Sequence, residues 1–304
     1  MGQDDKTSGF LDGIDLNAEL LYTEVSPQPV SAHSFSQLYT CRRNGKLYML
    51  KGLKQEVKNQ LLYQQLLRKE YEIGYNLDHP NICKIWGWKV MPEVGMCIVM
   101  EYIDGETLDC YMERRKLDLE TMKHILTQIC DALSYVNLKQ VVHRDLKPEN
   151  IMITYNGGNV KLIDFGFADS SEYEILKSPA GTLQYTAPEV QNRLPDIDGR
   201  ADIYSFGVVL NEILSHCPNR NLQKVARRCA MNDRNKRFAT FAEVRKAIIY
   251  AHPDHGWGWL IIALVMILMG IACWWFSKPV NEIPEGIPSD QVPSAIMPAN
   301  ELER

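Results

Sequence analysis

Several absences narrow the possibilities before any motif is read. None of the eight cysteines forms a CxxC pair, and most, such as Cys97 in MCIVM and Cys130 in TQIC, lie inside apolar stretches. They read as reduced core residues, which excludes a disulfide frame and a cysteine zinc site. The first residues, MGQDDKTSG, hold no apolar run that could act as a signal peptide. Lys6 stands where a myristoylation motif needs Ser or Thr. Residues 1–18 are expected to be a flexible leader. A basic excess is missing as well: the formal charge is −5 and the Lys and Arg residues are scattered along the chain. Nothing there would neutralise a phosphate backbone, so no nucleic-acid partner is expected.

What is present is a chain of 304 residues, 45% apolar and 23% charged, enough for one large core or two small ones. Near its end, Trp257 to Phe276 (WGWLIIALVMILMGIACWWF) runs for twenty residues without a charge. At about 1.5 Å per residue such a helix spans roughly 30 Å, the hydrocarbon thickness of a bilayer. Trp257 and Trp259 at one end, with Trp274 and Trp275 at the other, match interfacial aromatic belts. A single transmembrane helix over 257–276 is therefore expected. Prolines 279, 284, 288, 293 and 298 make 277–304 an extended, Pro-rich tail.

The chemistry is concentrated in VVHRDLKPENIMIT (141–154) and VKLIDFGFAD (160–169). An apolar run, a polar loop and two short β-type runs predict a loop and hairpin that display His143, Arg144, Asp145, Lys147, Asn150 and Asp164 on one rim. These residue types suit phosphoryl transfer. A carboxylate orients a hydroxyl, a Lys offsets charge on the moving phosphoryl, and Asn with a second Asp offers hard oxygens to Mg²⁺.

With DFG and a later APE in order, HRDLKPEN resembles the eukaryotic-type protein kinase family over residues 20–250. The resemblance implies an α+β, bilobal fold, with a β-rich N-lobe to about residue 100, a hinge at 101–106 and a helical C-lobe over 107–251, within a domain of 19–251. It implies Asp145 as the catalytic base, Lys147 beside the γ-phosphate, and Asn150 and Asp164 as ligands of Mg²⁺ (or Mn²⁺). Lys147, two residues past the base, and Thr182 in GTLQYTAPE resemble the Ser/Thr-specific branch. In KLYMLKGL, Lys51 resembles the Lys that holds the α- and β-phosphates of ATP. Its partner is expected to be Glu70, with Glu72 as the alternative. The run CIVMEYIDGETL resembles the hinge, with Met100 as gatekeeper and the backbone of Glu101 and Ile103 facing the adenine; Met152 joins the nucleotide-contacting set. Asp202 is expected to brace the catalytic loop, and Glu189 to pair with Arg237.

The departures are as informative. The family's GxGxxG loop falls on Ser31, His33 and Ser36, which loosens the phosphate cradle. Met49 replaces a small residue and would press on the adenine. Gly74 replaces an apolar residue on the helix of Glu70, so that helix is expected to be less firmly set. Only thirty-five positions separate Asp202 from Arg237, which implies a shortened or lost substrate-docking helix. The activation segment offers Ser178 as a phosphosite facing Arg144, with Asp169 opposing it. The expected function is a membrane-anchored, signalling Ser/Thr kinase that acts on proteins and self-associates for phosphorylation in trans. Its catalytic domain is expected in the cytosol and its tail across the membrane. The alternatives are a pseudokinase scaffold and a small-molecule phosphotransferase.

Overall fold

The computed structural model describes residues 22–31, 34–166, 183–251 and 258–277, with side chains in the last stretch from Ile262. His33, Asp169, Ser178, Thr182 and the regions 1–18 and 278–304 lie outside the described residues. The chain divides into two compact units, Met1–Asp254 and His255–Arg304.

The first unit opens with five antiparallel strands in the order β1-β2-β3-β5-β4. They are β1 (Thr23–Pro27), β2 (Ser36–Arg43), β3 (Lys46–Leu53), β4 (Ile85–Met91) and β5 (Gly95–Glu101). Asn44-Gly45 turns β2 into β3 with φ of 49° and 76°. That Asn-Gly pair is the sequence a two-residue hairpin turn favours, because both central residues need positive φ. The register sets Lys51 opposite Leu38 on one side and Ile98 on the other, in mid-sheet. Helix α1 (Leu61–Tyr75) lies against this sheet. Its buried residues Leu66, Leu67, Glu70 and Gly74 recur at helical spacing on one face.

The remainder is mostly helical. A small antiparallel sheet, β6 (Gly105–Thr107), β7 (Ile151–Thr154) and β8 (Val160–Leu162), carries the loop before β7 and the segment after β8. Around it stand α2 (Leu108–Arg114), α3 (Leu119–Leu138), α4 (Pro188–Gln191), α5 (Arg200–His216), α6 (Arg220–Cys229) and α7 (Phe241–Ile249). One continuous core joins α3, α5, α6 and α7 through residues such as Ile129, Phe206, Leu222 and Phe241. Between α5 and Arg237 lie α6 and a 3-10 turn over Arg234–Lys236. At their crossing, a Cβ on Gly207 would meet Cys229 Cβ at 2.6 Å, so the two helices pack backbone to backbone. All eight cysteines are free. Burial pushes the thiols of Cys83, Cys97 and Cys229 up to about 12, which leaves them inert.

The second unit holds α8 (Gly258–Phe276), helical over 19 residues. Its described large apolar side chains, Ile262 to Phe276, are exposed. Among the described residues no helix is long and apolar enough to cross a membrane.

Candidate active site

The site lies in the first unit, between the five-stranded sheet and the helical part, and the backbone of the catalytic loop is set by one carboxylate. Asp202, fully buried near the start of α5, accepts from the N–H groups of His143 (2.8 Å) and Arg144 (2.9 Å). Arg144 has φ of 62°, a left-handed conformation that a non-glycine residue holds only when its surroundings impose it. The two bonds from Asp202 supply that constraint. Burial pushes the Asp202 carboxyl above the ordinary carboxylate range, against the pull of His143 and the N–H donors.

Asp145 follows immediately and is buried. Lys147 Nζ stands 3.0 Å from Asp145 Oδ2. The Asn150 amide donates to the Asp145 carbonyl (2.8 Å) and to Oδ2 (2.9 Å), which leaves the Asn150 side-chain oxygen as an acceptor. A 3-10 turn over Pro148–Asn150, with Pro at its first position, holds these groups on one side of the loop.

Across the cleft, Lys51 Nζ lies 2.6 Å from Glu70 Oε1 and 3.0 Å from Asp164 Oδ1. The partner on α1 is therefore Glu70; Glu72 faces outward and pairs with Arg68 at 2.9 Å. Asp164 has φ of 64° and accepts from the Gly166 N–H at 3.1 Å. This tight local turn, together with Lys51, fixes the carboxylate. Burial by itself would lower Lys51, but Asp164 and Glu70 outweigh it and hold the ammonium above its usual range. Burial pushes Glu70 up to about 7, only partly opposed by Lys51. Burial also works against Asp164, yet Lys51 and the Gly166 N–H keep it below the ordinary range. The Phe165 ring packs on His143, centroids 4.7 Å apart, joining the segment after β8 to the catalytic loop.

Glu189 and Arg237 form a doubly bonded, buried pair, with 2.7 Å between Arg237 Nη2 and Glu189 Oε2. Arg237 also donates to the carbonyls of Arg200 and Met231, tying α4 to the helical core.

Three features were not foreseen. The space beside Gly74 is filled by Ile85 of β4: a Cβ at 74 would lie 2.4 Å from Ile85 Cδ1. The expected looseness of α1 is thus corrected, since the missing side chain is replaced by a closer approach of helix to sheet, one turn beyond Glu70. The signal was a glycine with no turn to explain it. Second, the Glu101 carboxylate accepts from Lys161 of β8 (2.6 Å) and from the Lys84 N–H (3.0 Å), so this hinge residue bridges the two parts with its side chain. Third, the segment at the glycine-loop positions is clipped. Lys54 Nζ donates to the Ser31 carbonyl (3.0 Å), Ser34 Oγ bonds both the N–H and the carbonyl of Ser36, and Phe35 packs on Tyr63 of α1. Ser36 is buried at the start of β2. Met49 and Met100 are register partners across β3 and β5; Ile103 lies between β5 and β6, and Met152 in β7.

A profile of the family described as protein kinase domain matches residues 32–254. The chain belongs to the protein kinase family. Among relatives of this kinase, an Aurora kinase of Dictyostelium discoideum is 34% identical over 186 residues, 59% of this chain and 47% of the relative. Mouse Aurora kinase C is 33% identical over 191 residues, 62% of this chain and 68% of the relative. The serine/threonine-protein kinase ppk25 of Schizosaccharomyces pombe is 36% identical over 146 residues, 47% of this chain and 34% of that protein. The matched stretch thus spans about half of the Dictyostelium protein and a third of the fission-yeast one. The residues matched here are a protein kinase domain similar to those of Ser/Thr kinases. The solved kinase domain of Mycobacterium tuberculosis PknI superposes with a TM-score of 0.60 at 23% identity, covering 76% of this chain and 96% of that domain. At that identity the likeness shows the shared fold.

A cavity of about 520 Å³ opens elsewhere on the kinase, beside α2, α3 and the β7–β8 turn, lined by Tyr111, Arg115, His124 and Tyr155 among others. It shares no residue with the cleft.

Proposed function

We propose that this chain is a Ser/Thr protein kinase, anchored to a membrane by α8 and active in signalling. It transfers the γ-phosphate of ATP to Ser or Thr hydroxyls of proteins. The observation that carries the proposal is the pair of charged groups facing each other across the cleft, Lys51–Glu70–Asp164 on one side and Asp145–Lys147–Asn150 on the other. Asp145 orients the substrate hydroxyl and takes its proton as the new O–P bond forms and the bond to the ADP oxygen breaks. Lys147 offsets charge on the moving phosphoryl, and Lys51 holds the α- and β-phosphates. Positioning and preorganised charge do most of the work in this chemistry.

The donor set fits Mg²⁺ (or Mn²⁺). Asn150 and Asp164 offer two hard oxygens, and among the described residues no three His, Cys, Asp or Glu side chains converge on a metal site. That suits an ion which takes one or two carboxylates and completes its shell with phosphate and water. Held there, the ion would neutralise phosphate charge.

The anchor is supported by the uncharged stretch 257–276 with Trp at both ends and by the helical backbone of α8. With the catalytic domain in the cytosol, clustering in the membrane plane favours self-association and phosphorylation of Ser178 in trans. The deciding experiment is phosphate incorporation into the protein and a generic peptide with Mg-ATP. Asp145→Asn should abolish turnover while leaving the fold intact, as read by circular dichroism. Undiminished activity in that variant would refute the assignment. An ATP-dependent thermal shift without turnover in the native chain would point to a scaffold instead. Protease outside sealed cells should remove a tag at Arg304 and spare one at Met1.

A further inference from the structure

Along the sequence the Lys and Arg residues look scattered, but folding gathers some of them. Helix α6 carries Arg220, Lys224, Arg227 and Arg228 at i, i+4, i+7 and i+8, and all four are exposed. Leu222, Val225, Ala226 and Cys229 on the other side are buried. The result is a cationic stripe with its orientation fixed by the backbone-close crossing at Gly207. No acidic residue occurs in the helix, RNLQKVARRC. From Arg220 to Lys246 there are nine Lys and Arg against Asp233 and Glu243, in a chain whose formal charge is −5; Arg237 is buried against Glu189 and Arg245 pairs with Asp131, so the surplus rests on the four cations of α6 with Arg234, Lys236 and Lys246. Both acids serve local bonds: Asp233 accepts from the Asn235 N–H and Glu243 from the Ala239 N–H.

We propose that α6 is a docking face for anionic lipid headgroups, which holds the catalytic domain against the bilayer; this rests on reading α8 as a membrane anchor. Connectivity favours lipid over other polyanions. Six residues, 252–257, separate Ala251 from the first residue of α8, and a fully extended link of that length reaches no more than about 25 Å. A domain held on so short a link samples the zone where an anionic leaflet attracts basic residues, and α6 is the face by which it would be oriented there. There the field decays within roughly a Debye length, and each Lys or Arg adds about a fivefold preference. An RNA partner would be drawn by the same charge, but α6 exposes no aromatic ring on which bases could stack.

The test uses the full chain reconstituted in nanodiscs of phosphatidylcholine, with or without phosphatidylserine. Exposed lysines are acylated briefly and read by mass spectrometry, with exposed Lys58 of the N-lobe as internal control. Lys224 should label about fivefold more slowly with phosphatidylserine, Lys58 should not change, and the difference should vanish near 0.5 M NaCl. The double variant Arg220→Gln, Arg227→Gln should lose most of the difference with its melting temperature and peptide phosphorylation intact. Equal labelling of Lys224 in both lipids, in chain that copurifies with the discs, overturns the docking face alone. Failure to copurify with either disc overturns the anchor reading. Protection of Lys224 by an added RNA duplex, without any lipid effect, reassigns the face to nucleic acid and also overturns the proposal.

Discussion

The catalytic loop and the loop above the phosphates meet across one cleft, and they are built to opposite standards. The first is held by buried bonds, Asp202 to two backbone N–H groups and Asn150 to Asp145, and faces a second buried set in which Lys51 of β3 bonds two carboxylates. The second has lost its glycines and is held by part-exposed contacts, Lys54 to a carbonyl, a serine turn, and one ring on another. Buried charge-assisted bonds tolerate no substitution because an unpaired partner stays desolvated. Exposed clips exchange with water and can be replaced piecemeal. The difference predicts where mutations will be felt.

The largest effects belong to the buried side. Lys51→Met or Asp164→Ala should each lower kcat/KM by at least about 10²–10³-fold, because preorganised charge is lost. A steady-state assay with saturating peptide would show it; a drop under about tenfold would mean that the triad is a structural cluster.

Next comes the contact that sets Glu70 in place. Gly74→Ala puts a methyl group where Ile85 Cδ1 already lies, and overpacking of this kind costs about 1–3 kcal/mol. Melting temperature and kcat/KM should both fall. Ile85→Val removes that one atom, so the double variant should recover most of the loss, a non-additivity that a double-mutant cycle measures.

A milder effect follows from Glu70, whose carboxyl burial pushes from 4.5 up to about 7. With the folded value raised, this group's stabilisation is full below about 4.5 and is lost as pH rises through 7. The charged pair with Lys51 forms in the same interval. Activity and stability should therefore run in opposite directions: kcat/KM rising about tenfold between roughly pH 6 and 8, while the contribution to the melting temperature declines. Glu70→Gln should flatten both trends and lower activity throughout.

The smallest change is expected in the loop that lacks the glycines, where Ser31 and Ser36 bond through their backbone groups. Ser31→Gly with Ser36→Gly should lower the KM for ATP by about two- to fivefold, within the range set by freeing a backbone for close approach. A rise in KM would show that the serines themselves contact the nucleotide.

Where the sequence was legible, the reason is chemical. HRDLKPEN and DFG could be read because each residue needs its charge at a fixed spacing; Asp202, Glu189 and Arg237 were placed by the family resemblance, and their burial with a partner for each ion is visible only in the fold. Gly74 and Ile85 were not legible as a pair. Steric fit between a helix and a strand leaves no pattern in either segment, only the oddity of a glycine inside a helix. The stripe on α6 escaped for a related reason: four cations spread over nine positions look dispersed until helical periodicity stacks them. Twenty uncharged residues predict a helix, and α8 is helical over Gly258–Phe276.

The bond between Glu101 and Lys161 carries a further consequence. Residues sixty apart in sequence, one on β5 and one on β8, share a partly exposed contact of 2.6 Å that spans the hinge. An opening of the cleft that separates β5 from β8 would stretch it. The bond would thus act as a weak brake on turnover, and one that ions in solution can ease. If product departure limits the cycle, kcat should climb modestly with moderate salt in the native enzyme, and Lys161→Met should already run at the faster, salt-independent pace.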